Sequence, residues 1–123
     1  MTIRGIRGAI TIPSDTEENV LSATGELLER ILDANFELKA EDIGSVFFTV
    51  TEDIVSAYPA LAARQIGWEL VPMICGREIP VPSSLRLCIR VLIQWNTDLP
   101  QEEINHIYLR GAKILRPDLI EEK

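Results

Sequence analysis

A chain of 123 residues, 46% hydrophobic and 25% charged, has the length and balance of one globular domain with one core. Its formal net charge of −7 argues against a general nucleic-acid binder, which would show a basic excess or stripe. No stretch approaches the ~18 consecutive apolar residues of a membrane span, and "MTIRGIRGAITIPSD" lacks the apolar block and cleavage signature of a signal peptide, so a single domain over 1–123 in the cytoplasm is expected.

Residues 2–12, "TIRGIRGAITI", read as a first strand. Ile3, Gly5, Arg7 and Ala9 share one face; Arg4, Ile6, Ile10 and Ile12 share the other. Gly5 and Gly8 inside it point to a close approach of backbone or ligand. The stretch 13–36 predicts the long core helix. Ser14 with Glu17, or Asp15 with Glu18, offers a capping box, and Val20, Leu21, Leu27, Leu28, Ile31 and Leu32 form an apolar stripe at helical spacing. "IGSVFFTVT", 43–51, predicts a strand with Val46, Phe48 and Val50 on one side. A shorter helix follows over 56–67, with Pro59 in its first turn and Gly67 as its stop.

"WELVPMIC", 68–75, predicts a third strand, and "GREIPVPSS" an irregular connection. The next strand spans 84–95. Leu85, Leu87, Ile89, Val91, Ile93 and Trp95 alternate onto an apolar face; Arg86, Cys88, Arg90, Leu92 and Gln94 occupy the other. "TDLPQEEI" predicts a short helical turn capped by Asp98. "NHIYLR" predicts a last strand, followed by a tail expected to be mobile from about Ala112 and to order over an occupied site through Leu115 and Arg116. The element order predicts an α+β fold: one mixed sheet with helices on one face. Strands 68–75 and 85–95, apolar on both sides, would then need other subunits to cover them, so an oligomer is expected.

Arg7 and Arg90 are both mid-strand cations with small or apolar same-face neighbours, and an arginine is almost never fully buried unless paired. Phosphate-loop, dinucleotide and Ser-His-Asp patterns are absent, and a lone histidine, His106, is more often structural than catalytic. Cys75 and Cys88 form neither a disulfide framework nor a CxxC pattern, so no metal site is expected. What remains is a set of arginines (Arg7, Arg64, Arg90, Arg116) with Glu78, Tyr108 and Cys75. Guanidiniums grip carboxylates bidentately, so the pattern reads as a receptor for a small, multiply anionic molecule with little nucleophilic or acid–base equipment.

An ordered set of segments spans nearly the whole chain: "IRGIRGA" (3–9), "YPA" (58–60), "AR" (63–64), "GWELVP" (67–72), Cys75 with Glu78, "CIRV" (88–91), "IYL" (107–109) and "LRPDL" (115–119). It resembles the monofunctional chorismate mutases of the AroH class. The resemblance implies ferredoxin-like α+β subunits in a trimeric pseudo-α/β-barrel, with active sites at the subunit interfaces. It implies the Claisen rearrangement of chorismate to prephenate, on the route to phenylalanine and tyrosine, without organic cofactor or metal. By the same resemblance Arg7 and Arg90 would grip substrate carboxylates, and Arg90 would also reach the ether oxygen. Glu78 with Cys75 would take the ring hydroxyl, and Tyr108 would bond a carboxylate. Met73, Ile74 and Leu115 match wall positions; Tyr58, Ala60 and Arg64 match positions supplied by the neighbour; Arg116 matches a tail position at the mouth. Tyr58 stands where the family has a phenylalanine, Leu61 where it has a lysine, and Arg77 adds a cation beside Glu78. The rival reading is a non-catalytic trimeric sensor that binds an anionic metabolite in the same cleft.

Overall fold

Period-2 alternation lets each strand bury one face, and a sheet forms when those faces share a helix layer. In the computed structural model, which describes residues 2–115, five strands make one mixed sheet. They are β1 (Ile3–Thr11), β2 (Ile43–Val50), β3 (Met73–Arg77), β4 (Cys88–Asn96) and β5 (Ile107–Leu109), in the order β3-β2-β4-β1-β5. Helix α1 (Glu17–Ala34) packs over β1 and β5; α2 (Ala60–Gln65) touches α1 and β3. Buried residues of both helices join one core with Ile6, Ile10, Val46, Phe48, Ile89, Val91, Ile93 and Trp95, so both lie on the same face. Each such side chain contributes roughly 1.5–3 kcal/mol by leaving water. This is the expected α+β architecture. No helix among the described residues is long and apolar enough to cross a membrane.

β4 is the middle strand and runs antiparallel to both β1 and β2. β1, α1 and β2 with β4 between them form the split β-α-β unit of ferredoxin-like sheets. The edges add to that plan. β5 pairs parallel with β1, and α2 carries the chain from β2 to a parallel β3.

Several boundaries differ from the sequence reading. β4 begins at Cys88, not at 84, because Leu87 takes a φ of 50° and the chain turns there. Leu85 and Leu87, which alternation assigns to one face, pack on opposite faces: Leu87 against the main core, Leu85 against a small second cluster. β3 begins at Met73; the preceding residues turn, with the Val71 amide donating to the Trp68 carbonyl (3.3 Å). Trp68 and Val71 reach the core from that turn, while Leu70 is 97% exposed. The cap of α1 is Thr16, whose hydroxyl accepts from the Asn19 amide (3.0 Å). Ser14 instead accepts from the Asn19 side chain, and Asp15 accepts from the Val55 and Ser56 amides. Pro59 sits at the cap of α2 rather than inside it, and Gly67 ends the helix at a φ of 102°. Pro100, not Asp98, precedes the 3₁₀ turn Gln101–Glu103. β5 is three residues long and runs into a further 3₁₀ turn, Arg110–Ile114. Arg116 and the tail beyond it lie outside the described residues.

Gly8 explains the glycine in β1. A Cβ there would lie 3.0 Å from Ile31 Cδ1, 3.1 Å from the Ile107 carbonyl and 3.2 Å from Leu27 Cδ1. The backbone carbonyl cannot move aside as a side chain can. Gly8→Ala is therefore expected to destabilise by about 1–3 kcal/mol, the usual cost of overpacking. Gly5→Ala, whose Cβ would meet only Leu92 Cδ1 at 3.4 Å, should change stability far less. Urea unfolding of the two variants checks this; equal effects would contradict it.

Candidate active site

The sheet face away from the helices carries the arginines. Strand register sets Tyr108, Ala9, Arg90, Thr49 and Gly76 in one row across β5, β1, β4, β2 and β3. The adjoining row holds Arg7, Leu92, Phe47 and Ile74. Ala9 and Gly76 are the small members of the first row, and a Cβ added at Gly76 would meet open space. The row is thus open at its β3 end, beyond Thr49, while Ala9 on the other side of Arg90 is buried. The second row is apolar apart from Arg7, and Phe47, Leu92 and Ile74 all remain exposed.

Glu78 follows β3. Its amide continues the parallel ladder by donating to the Val50 carbonyl (2.9 Å), which turns its side chain onto the arginine face. Oε2 of Glu78 accepts from the Thr49 hydroxyl and lies 3.3 Å from Arg90 Nε. That second contact is a charge contact only. Arg90 Nε is buried, and no acceptor among the described residues lies in line with its N–H. The side chains are 36% and 21% exposed, so the pair is neither sealed nor fully solvated. Tyr108 is buried with Ala9, Cys88 and Ala112, and Leu85 and Leu115 pack on this cluster. Burial pushes the Cys88 thiol up to about 11, with nearby Arg90 offsetting part of the effect. The thiol is neutral at physiological pH and offers no nucleophile.

The entry to β4 is pinned by two residues of the loop that follows β2. The Thr51 hydroxyl accepts from the Cys88 amide (3.0 Å) and donates to Asp53 Oδ1 (2.6 Å). The Asp53 carboxylate accepts from the Leu87 amide at 3.1 Å and from Arg86 at 3.3 Å. These contacts fix the residue at which pairing starts, and so where Arg90 falls.

Arg7, Arg90, Glu78, Tyr108 and Ile74 therefore share one face, with Leu115 at its border. Met73 and Cys75 do not join them; their side chains pack against the main core. Tyr58, 72% exposed, and Ala60 and Arg64 of α2 belong to the helix layer. Tyr58 and Leu61 line a separate cleft of ≈ 430 Å³ with Val55, Cys75 and Arg77. Arg77 is held by the Thr51 and Ile54 carbonyls (3.0 and 2.6 Å). Sequence reasoning passed over Thr49, Thr51 and Asp53. Alternation does place Thr49 opposite Phe48, on the face that β2 turns from the core; its pairing with Arg90 needs the register.

A mid-sheet guanidinium, a second arginine one row away and a carboxylate beside the first can hold a small polyanion and a hydroxyl at once. The chain matches the family model described as chorismate mutase type I over residues 3–119. It is 56% identical over 117 residues to "Chorismate mutase AroH" of Thermus thermophilus, covering 95% of this chain and 96% of that one. It is 45% identical over 120 residues to "Chorismate mutase AroH" of Bacillus subtilis (strain 168), covering 97% and 94%. Among solved structures, "Chorismate mutase from Clostridium thermocellum Cth-682" superposes with a TM-score of 0.87 at 44% identity, over 89% of this chain and 97% of that chain.

Asp53 sets a pH dependence. Burial raises its pKa, but the Thr51 hydroxyl, the Leu87 amide and Arg86 outweigh that and hold it below the ordinary carboxylate value. A depressed folded pKa means stability that is present above the unfolded value, about 3.9, and lost as pH falls through the folded one. Asp53→Asn should lower stability by about 1–3 kcal/mol at neutral pH and by much less once the wild-type carboxyl is protonated. Urea titrations at neutral and strongly acidic pH test this; an equal deficit at both would contradict it.

Proposed function

We propose a mechanism for this chain from one premise: it belongs to the chorismate mutase type I family. It is a chorismate mutase, an isomerase that converts chorismate to prephenate in aromatic amino acid biosynthesis. The rearrangement is unimolecular. The ether C–O bond breaks and a C–C bond forms, with all electrons staying inside the substrate. No proton is transferred and no covalent intermediate forms. In the transition state the C–O bond is stretched before the new bond is made, so the ether oxygen gains negative charge and the ring gains positive charge.

In this reading Arg90 faces the ether oxygen and a substrate carboxylate together. Arg7, one row away, anchors a carboxylate, and Tyr108 donates to one. Glu78 accepts the ring hydroxyl and faces the ring as it becomes electron-poor. Ile74 and Leu115 wall the cleft, while Met73 and Cys75 shape β3 from its core side. The single observation that carries this is Arg90 itself: a guanidinium on the middle strand, with a buried Nε that no described acceptor fills and one off-line carboxylate beside it. A rigid cation needs no reorganisation as charge develops, which is how preorganised donors lower a barrier. Holding the substrate in its chair-like conformer adds the entropic part.

The working enzyme in this reading is a homotrimer with sites between subunits, Tyr58, Ala60 and Arg64 completing the neighbour's cleft. In support, Phe47, Leu92 and Ile74 leave an apolar patch beside the arginines that another copy would cover. A cytoplasmic location belongs to the same reading; Cys75 and Cys88 are free thiols, as a reducing compartment keeps them. Mixing tests the shared site. Arg64→Ala and Arg90→Ala, each inactive alone, should recover activity when unfolded together and refolded, because about a quarter of randomly assembled interfaces carry both intact arginines. No recovery, with each variant still trimeric by sedimentation, would contradict the shared site.

A further inference from the structure

Thr49 does what neither the sequence pattern nor the mechanism above requires of a strand residue. Its hydroxyl donates to Glu78 Oε2, the same oxygen that lies 3.3 Å from Arg90 Nε. It is also the direct cross-strand partner of Arg90 on β4, and its other neighbour is Gly76 on β3. It thus stands between the cation and the carboxylate, fixed by two strands. We propose that Thr49 is a positioning residue for the rearrangement: by holding one oxygen of Glu78, it keeps the carboxylate beside Arg90 without letting the two close into a bidentate pair.

The chemistry gives the reason. An arginine and a carboxylate at this distance tend toward two parallel N–H···O bonds. A pair closed in that way would occupy the guanidinium edge that the ether oxygen needs, and it would use both carboxylate oxygens. With Oε2 tied to the Thr49 hydroxyl, the Arg90 contact stays off-line, as the unfilled Nε records. Oε1 is then left for the substrate hydroxyl. Thr49 need not touch substrate; it acts through Glu78 and Arg90. This rests on the roles proposed above for those two residues.

The test is steady-state kinetics of Thr49→Val, Thr49→Ala and Thr49→Ser, with thermal unfolding of each. Valine keeps the branched shape that suits a strand and removes only the hydroxyl. Both variants lacking the hydroxyl should lose on the order of ten- to a hundredfold in kcat/KM, the scale of one hydrogen bond to a charged group. Serine, which restores the hydroxyl, should recover most of that loss even if its melting temperature falls. In a Glu78→Ala background, Thr49→Val should add little further loss, because the group it positions is gone. Thr49→Val within twofold of wild type, or a full extra loss in the Glu78→Ala background, would overturn the proposal. The two layers separate cleanly. If Arg90→Ala and Glu78→Ala cripple the enzyme while Thr49→Val does not, Thr49 alone loses its role. If those two variants leave turnover intact, the site reading falls and the Thr49 role with it.

Discussion

A half-buried guanidinium in the middle of a sheet must be answered by an anion, and in this protein it is answered only in part. Arg90 stands on β4 with both neighbouring strands antiparallel to it, so its backbone is fixed from two sides. Its carboxylate neighbour, Glu78, lies off the N–H direction. A part-exposed pair of this kind contributes only about 0–1 kcal/mol. In the proposed mechanism that weakness is the point: an ionic substrate would replace the contact at little expense, while the strand would keep the cation at the ether oxygen. The rest of the structure supports the arrangement. Thr51 and Asp53 fix the start of β4, Glu78 is aimed by a ladder bond from its own amide, and Ala9 and Gly76 keep bulk away from the same row.

The sheet is two-faced for the same reason. One side is a helix-covered core to which all five strands contribute apolar residues. The other carries the candidate site, with Arg7 and Arg90 set among Phe47, Leu92 and Ile74. An apolar surround lowers the local dielectric and strengthens every charge interaction within it, provided something excludes water. In the proposed trimer a neighbouring subunit would meet that need, where a lone chain would leave the cleft open. A cleft of this kind could also serve a sensor. The full-length kinship with chorismate mutases from two bacteria decides for catalysis.

Much of this is legible in the sequence. The alternation over 88–95 sets Ile89, Val91, Ile93 and Trp95 against Arg90 and Leu92, and the structure buries the first set in the main core. The stripe of α1 and the stop at Gly67 are local signals, and both hold. What could not be read depends on partners far along the chain. Leu85 and Leu87 continue the alternation, yet Asp53, more than thirty residues earlier, accepts from the Leu87 amide and the strand starts later. Asp15 offers itself as a helix cap, but its oxygens serve the Val55 and Ser56 amides, and Thr16 takes the cap. "WELVP" looks like a strand because Trp68 and Val71 are apolar; burial from a turn and burial from a strand carry the same composition. In the site, the arginines announce themselves as cations in apolar company. Thr49 does not, since a threonine on a strand is unremarked until register sets it beside Arg90. The side chain of Cys75 is a question of parity on a five-residue strand, and one residue of offset decides which face it serves.

The central claim is that the fixed charge of Arg90 stabilises the transition state more than the bound substrate. Replacing Arg90 by citrulline in semisynthetic protein tests it most directly, because citrulline keeps the planar shape and the Nε–H of arginine, exchanges one terminal NH2 for a carbonyl oxygen, and removes the charge. The account expects kcat to fall by at least the ~10²–10³ that follows loss of one preorganised donor, with a smaller change in KM because Arg7 still anchors a carboxylate. A citrulline enzyme with near wild-type kcat and only weaker substrate binding would contradict it, and Arg90 would then be an anchor rather than the source of the rate.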